Sequence, residues 1–372
     1  MKIARIEAIA LAIPLKPMDP PSPWPAATRK QVVVRVTTDS GLTGVGEAFA
    51  YGAPLAVVNV IEESLAPLLT GQDSARIPAL VDLMHRGTMI YGRRGLAMFA
   101  ISGVEIALWD LLGKAHGASV CELLGGATRP RMPVYASLVR YGSPAEVAAA
   151  CRQYVAQGFR ALKLHQIDVE SVRAAREAVG PDVALMLDTN CPWSPAEAIE
   201  MARALAPYRL AWLEEPVWPP EDYAGLARVR VATPTPIALG ENESTLYGFR
   251  EIVERAAADI LQPSITKVGG ISEFRKIAAL AEAANLPIAP HAFYWGPGLA
   301  ATLHVAATLG GSTPVEFPTG EHETPFLVRP IAARDGWVEV PPGPGLGVEI
   351  NEEAVRRYPY APATAEPFVL NR

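Results

Sequence analysis

The 372-residue chain is short of cysteine, with Cys121, Cys151 and Cys191 only. Three, with no metal-ligand spacing among them, give neither a disulfide framework nor a thiolate zinc site, so a reducing cytoplasm is the expected compartment. Cationic runs are lacking as well. With 33 Lys and Arg against 39 Asp and Glu the net charge is −6, and no basic cluster offers itself to nucleic acid. No stretch reads as long enough to span a membrane. The apolar start is interrupted by Arg5 and Glu7 and cut short at Pro14, which makes it a first strand rather than a signal peptide. What remains is an ordinary soluble composition, half hydrophobic and 19% charged, in a chain long enough for two domains and a sizeable core.

Residues 1 to about 50 alternate as an antiparallel sheet does: Ile3 to Ala12, Gln31 to Thr38, a turn at Asp39-Ser40-Gly41, then Leu42 to Phe49. Between the first two strands, Pro17 to Pro25 is too rich in proline for regular structure, and its Trp24 suits a functional flap. Helical patterning runs from Ala53 to Leu124 and is apolar on nearly every face between Leu96 and Gly113, as a buried helix is. From Met132 onward strand-like runs alternate with helices. Ser143-Pro144-Ala145-Glu146 and Ser194-Pro195-Ala196-Glu197 mark two helix starts. Eight strand candidates, the last three at Asp259–Gln262, Leu286–Ala289 and Thr313–Phe317, match the number a closed parallel α/β barrel requires. The predicted architecture is α/β: an α+β capping domain over residues 1–128 and a modified (β/α) barrel of the TIM type over 129–325. A C-terminal segment over 326–372 packs back on the cap.

Three of these strands end in a carboxylate: Asp188, Glu214 and Glu241, roughly 26 residues apart, the length of one strand-plus-helix unit. Neighbouring parallel strands lie about 4.8 Å apart, so the three acids converge on one point. Such crowding needs a cation, and ligation by oxygen alone favours Mg²⁺ over Zn²⁺. A strand-end acid taken singly is as readily a helix cap or a solvated group. Three in phase are not.

On the strand before the first acid, Lys163 and His165 are two residues apart and share a face, which points both at the metal. Either is placed to remove a proton beside a metal-bound carboxylate. His291, at the end of the seventh strand, lies nearly opposite, giving the arrangement for one general base and one general acid. Glu316, on the eighth strand, would donate a hydrogen bond to a developing enolate if burial kept it protonated.

Taken with Gly44-Val45-Gly46-Glu47-Ala48, Ala107-Leu108-Trp109-Asp110-Leu111, Trp212-Leu213-Glu214-Glu215-Pro216, Lys267-Val268-Gly269-Gly270 and Pro290-His291, these pieces resemble the enolase superfamily. The likeness is to its mandelate racemase and muconate lactonizing enzyme branch and covers essentially the full length. It implies Mg²⁺ held by Asp188, Glu214 and Glu241, abstraction of the proton alpha to a carboxylate, and a Lys or His base. It also implies substrate contacts from the flap at Trp24, from Tyr51, Tyr91 and Arg93 in the cap, and from Asn190 and Lys267 in the barrel. The partners expected are a small-molecule carboxylate and further copies of the chain, with neither nucleic acid nor membrane.

Two departures bear on the reaction. Related acid-sugar enzymes often carry Lys-x-Lys on the second strand with the later Lys as base, and His165 stands there instead. Ser264 occupies the place of the Asp that orients the seventh-strand His in the mandelate racemase group, or of the catalytic Lys in the muconate lactonizing group. Without that carboxylate, His291 is better suited to act as acid than as base. The expected reaction is therefore dehydration of an acid sugar to a 2-keto-3-deoxy acid. A racemase, epimerase or cycloisomerase is the alternative, and a catalytically silent carboxylate-binding homologue the second.

Overall fold

A computed structural model describes residues 1–22, 28–129, 131–311 and 314–362. The N-terminal alternation forms β1 (Ile3–Pro14), β2 (Thr28–Thr38) and β3 (Thr43–Ala48), an antiparallel sheet in sequence order. Helix Leu96–His116 lies across one face of it. A Cβ on Gly44 would meet the Ala107 carbonyl oxygen at 2.2 Å, and one on Gly46 the Gly103 carbonyl oxygen at 2.1 Å. The two glycines are thus what lets strand and helix approach this closely. At 21 residues this helix is long and apolar enough to cross a membrane, which corrects the expectation that no stretch is. It is instead the core of the cap, with 78% of its apolar window buried.

The strands that follow are β4 (Arg131–Ser137), β5 (Ala161–Leu164), β6 (Ala184–Asp188), β7 (Leu213–Glu214), β8 (Ile237–Leu239), β9 (Ile260–Leu261) and β10 (Val315–Pro318). They pair in parallel in the order β10-β4-β5-β6-β7-β8-β9, with helices in the connections, as a (β/α) barrel does. Ser143 and Ser194 start the helices Pro144–Ala156 and Pro195–Leu205 by accepting the Glu146 and Glu197 N–H groups. The strand expected at Leu286–Ala289 is reduced to bridges from Ile288 to Leu261 and from His291 to Ser264. Pro287 and Pro290 remove the ladder donors on either side of Ile288, which explains why this position does not extend. On its far side the Ala292 N–H donates to Glu316 Oε2 at 2.7 Å.

The cap and the barrel meet through buried acids on helix Leu96–His116. Glu105 accepts the N–H groups of Ile271 (2.7 Å) and Ser272 (2.9 Å), capping the barrel helix Ile271–Ala283. Gly270, at φ +88°, leaves no room for a side chain there: a Cβ would lie 2.1 Å from Glu105 Oε2. Asp110 accepts the N–H groups of Val45 and Leu346, both at 2.7 Å, and so ties the sheet to the C-terminal segment. That segment adds β11 (Trp337–Glu339) antiparallel to β4 and returns to β1, where the Ala12 N–H donates to the Tyr358 carbonyl.

Candidate active site

Asp188, Glu214 and Glu241 are buried at the carboxyl ends of β6, β7 and β8, and one oxygen from each can be chosen so that all three lie within 4.8 Å of one another. Asn190, held at φ +52°, donates its N–H to Asp188 Oδ1 at 2.9 Å, and Trp212 Nε1 donates to Glu214 Oε2 at 2.9 Å. Glu215, next in sequence, turns the other way and accepts from Asn242 Nδ2 at 2.6 Å.

Crowding has an electrostatic signature. Burial pushes the Glu214 carboxyl well above its usual range; Lys163 opposes the shift, and Asp188, Glu316 and Glu241 add to it. Nearby cations offset part of the charge. Lys163 Nζ lies 2.9 Å from Glu214 Oε1, 2.9 Å from Glu316 Oε1 and 3.2 Å from Asp188 Oδ2. Burial alone would lower the Lys163 pKa, but the Glu214, Glu316 and Asp188 carboxylates hold it well above its normal value. The donor set is carboxylate oxygen only, buried and convergent, and it fits a hard divalent cation.

The two histidines lean on opposite members of the triad. His165 Nε2 stands 3.2 Å from Asp188 Oδ2, and its Nδ1 contacts the Leu138 carbonyl. A carbonyl only accepts, so Nδ1 carries a proton; whenever the ring is neutral its lone pair is then on Nε2, the nitrogen that faces Asp188 and the site. His291 Nε2 stands 3.0 Å from Glu241 Oε2, while its Nδ1 lies 3.1 Å from both Ser264 Oγ and Tyr294 Oη, which also contact each other. Hydroxyls donate or accept, so this pair is compatible with either protonation state of His291.

Both rings line a cavity of about 210 Å³ shared with Asp188, Glu241 and Glu316. Of the expected substrate contacts, Tyr51, Asn190 and Lys267 line it too, and Lys267 Nζ sits 3.6 Å from Glu241 Oε1. Tyr91 and Arg93 do not. They are exposed on the segment between helices Ile77–Gly87 and Leu96–His116, where Arg93 binds His85 Nδ1 at 2.8 Å. The connection carries both to the outside of the cap, so the structure does not bring them to this cavity. Trp24 lies outside the described residues. Glu316 lines the cavity as expected. Burial would raise its carboxyl, but Lys163 and His291 bring it below its usual value, a direction that runs against the protonated form expected of it. Sequence reasoning did not single out Tyr294, an aromatic in an apolar stretch, or Arg29, which looks like any polar residue at the start of a strand.

Comparison with known proteins places this geometry. Residues 146–354 match the family described as enolase C-terminal domain-like, and residues 14–125 match the mandelate racemase / muconate lactonizing enzyme N-terminal domain. The chain is 36% identical to a D-galactarolactone cycloisomerase of Agrobacterium fabrum over 89% of its own length and 91% of the relative's. It is 34% identical to an arabinonate dehydratase of Saccharolobus solfataricus, over 88% and 90%. The crystal structure of a 3,6-anhydro-D-galactonate cycloisomerase from Zobellia galactanivorans superposes with a TM-score of 0.87 at 34% identity, covering 97% of this chain and all of that one. The chain is an enzyme of the enolase superfamily, in its mandelate racemase and muconate lactonizing enzyme branch, with a capping domain over a modified (β/α) barrel.

Proposed function

We propose that this chain is a Mg²⁺-dependent dehydratase that converts a polyhydroxy carboxylate to its 2-keto-3-deoxy acid, with His165 as base and His291 as acid. Members of the superfamily use a divalent metal, and Asp188, Glu214 and Glu241 are the residues that would hold it. Bound there, Mg²⁺ would supply positive charge against the substrate carboxylate and lower the barrier to breaking the adjacent C–H bond.

The observation that carries the reading is the inequivalence of the two imidazoles. His165, its Nδ1–H committed to the Leu138 carbonyl, presents the Nε2 lone pair that accepts the alpha proton. His291, backed by the Ser264 and Tyr294 hydroxyls, holds a proton on Nε2 that it delivers to the departing beta hydroxyl, which leaves as water. The enol that remains becomes the 2-keto-3-deoxy acid by taking up a proton at the beta carbon. Lys163, closed in by three carboxylates, serves as a fixed charge.

Incubation with a library of acid sugars in the presence of Mg²⁺, assayed for 2-keto-3-deoxy products, tests this. The expected result is product from at least one member, lost on chelation, and no product across the library counts against it. Relatives named as cycloisomerases favour a second reading, in which a lactone ring opens by the same proton abstraction. The enzyme would then consume acid-sugar lactones and give no product from the open acids.

A further inference from the structure

We infer that the cavity beside the triad takes a substrate with a second anionic end, a sugar diacid or its lactone, and that Arg29 is the residue that selects it. The inference rests on the reading that this cavity binds a hydroxy acid, and it concerns the end of the molecule remote from the metal.

Arg29, the second residue of β2 in the cap, lines the cavity together with both histidines. It is only 4% exposed. Its guanidinium is stacked, with Cζ 5.1 Å from the Phe293 ring centroid and 5.4 Å from that of Trp295. Stacking fixes the plane but leaves the in-plane donors to be satisfied. Among the described residues no carboxylate pairs with Arg29, and its buried Nε has no hydrogen-bond partner.

Lys267, the other permanently charged cation lining the cavity, has Glu241 at 3.6 Å. A buried guanidinium without a counter-charge is costly, and a carboxylate presented in its plane by a ligand removes that cost with two parallel hydrogen bonds. Phe293 separates it from the chemistry: the ring centroid lies 6.4 Å from that of His165, with Arg29 against the same ring. Arg29 is thus placed to meet the far end of a short acid whose near end is at the metal. Its fork geometry favours a carboxylate over a lone hydroxyl.

The test compares matched pairs that differ only at the far carbon, galactarate with D-galactonate and D-glucarate with D-gluconate, on the Mg²⁺-loaded enzyme. The diacid of a turned-over pair is expected to have a kcat/KM about 30-fold higher, a charge-assisted contact's worth. Arg29→Gln is expected to erase most of that ratio, chiefly through KM, and Arg29→Lys to keep part of it. Equal use of both members by the unaltered enzyme, or an Arg29→Gln variant that lowers both alike, would overturn the inference and leave the dehydratase reading standing. If no acid is turned over, that reading fails on its own, and calorimetric binding of the same acids decides this one. Tighter diacid binding that is lost in Arg29→Gln supports it, and equal binding refutes it. Should Arg29→Gln fail to fold, as a thermal melt would reveal, the diacid-to-monoacid ratio of the unaltered enzyme and of Arg29→Lys decides alone.

Discussion

The two sides of the active site are built from the same side chain and differ in what stands behind it. Behind His165 is a main-chain carbonyl, which accepts and never donates; behind His291 are two hydroxyls, which do both. The first support fixes one tautomer, and the second leaves the proton count open. On the proposed reading an identical residue is specialised as base or as acid by its partner alone, at a position where Ser264 stands in place of a carboxylate.

The largest expected effect comes from taking away the floor both sides share. Asp188→Asn should lose stoichiometric metal, measured by elemental analysis, and lower kcat by at least about 10³-fold. His165→Asn should lower turnover by about 10³-fold and abolish solvent exchange at the alpha carbon. A variant that still exchanges would move the base to another residue. His291→Asn should lower product formation by about 10²-fold while alpha exchange continues. If exchange stops as well, both histidines act on the alpha proton, and the comparison gives way to a racemase-like symmetry. Ser264→Ala and Tyr294→Phe should each cost about tenfold, with the double variant close to His291→Asn, because either hydroxyl alone can still hold Nδ1.

The smallest effect lies outside the site and contrasts acids facing cations with an acid facing only N–H and hydroxyl donors. Burial raises Glu105 to about 7 against the Ser272, Ile271 and Trp109 donors. Between the ordinary glutamate value of 4.5 and about 7 the folded chain keeps a proton that the unfolded chain releases, so this group's contribution to stability falls as pH rises through that window. Glu105→Gln should flatten the dependence of the denaturation midpoint on pH there.

The convergence of Asp188, Glu214 and Glu241 was legible in the sequence because barrel geometry turns chain spacing into proximity: Asp188 and Glu214 end their strands, Glu241 follows two residues after β8, and the strands are neighbours. Lys163 and His165 were legible by the two-residue period of a strand. The seventh strand was not, since its apolar residues match the pattern while Pro287 and Pro290 deny it the hydrogen bonds. Tyr91 and Arg93 misled because a polar segment between helices has no intrinsic direction, and the fold turns this one outward. Arg29 and Tyr294 were invisible for another reason. Their partners, Phe293 and His291, are remote from Arg29 or only three residues from Tyr294 in a non-helical stretch, and no periodicity relates them.

The most direct test uses His291→Asn in D₂O with Mg²⁺, on whichever acid sugar the unaltered enzyme dehydrates. The account predicts deuterium at the alpha carbon of recovered substrate, removed by chelation of the metal or by adding His165→Asn. No deuterium in the single variant, or deuterium that survives either treatment, would contradict it.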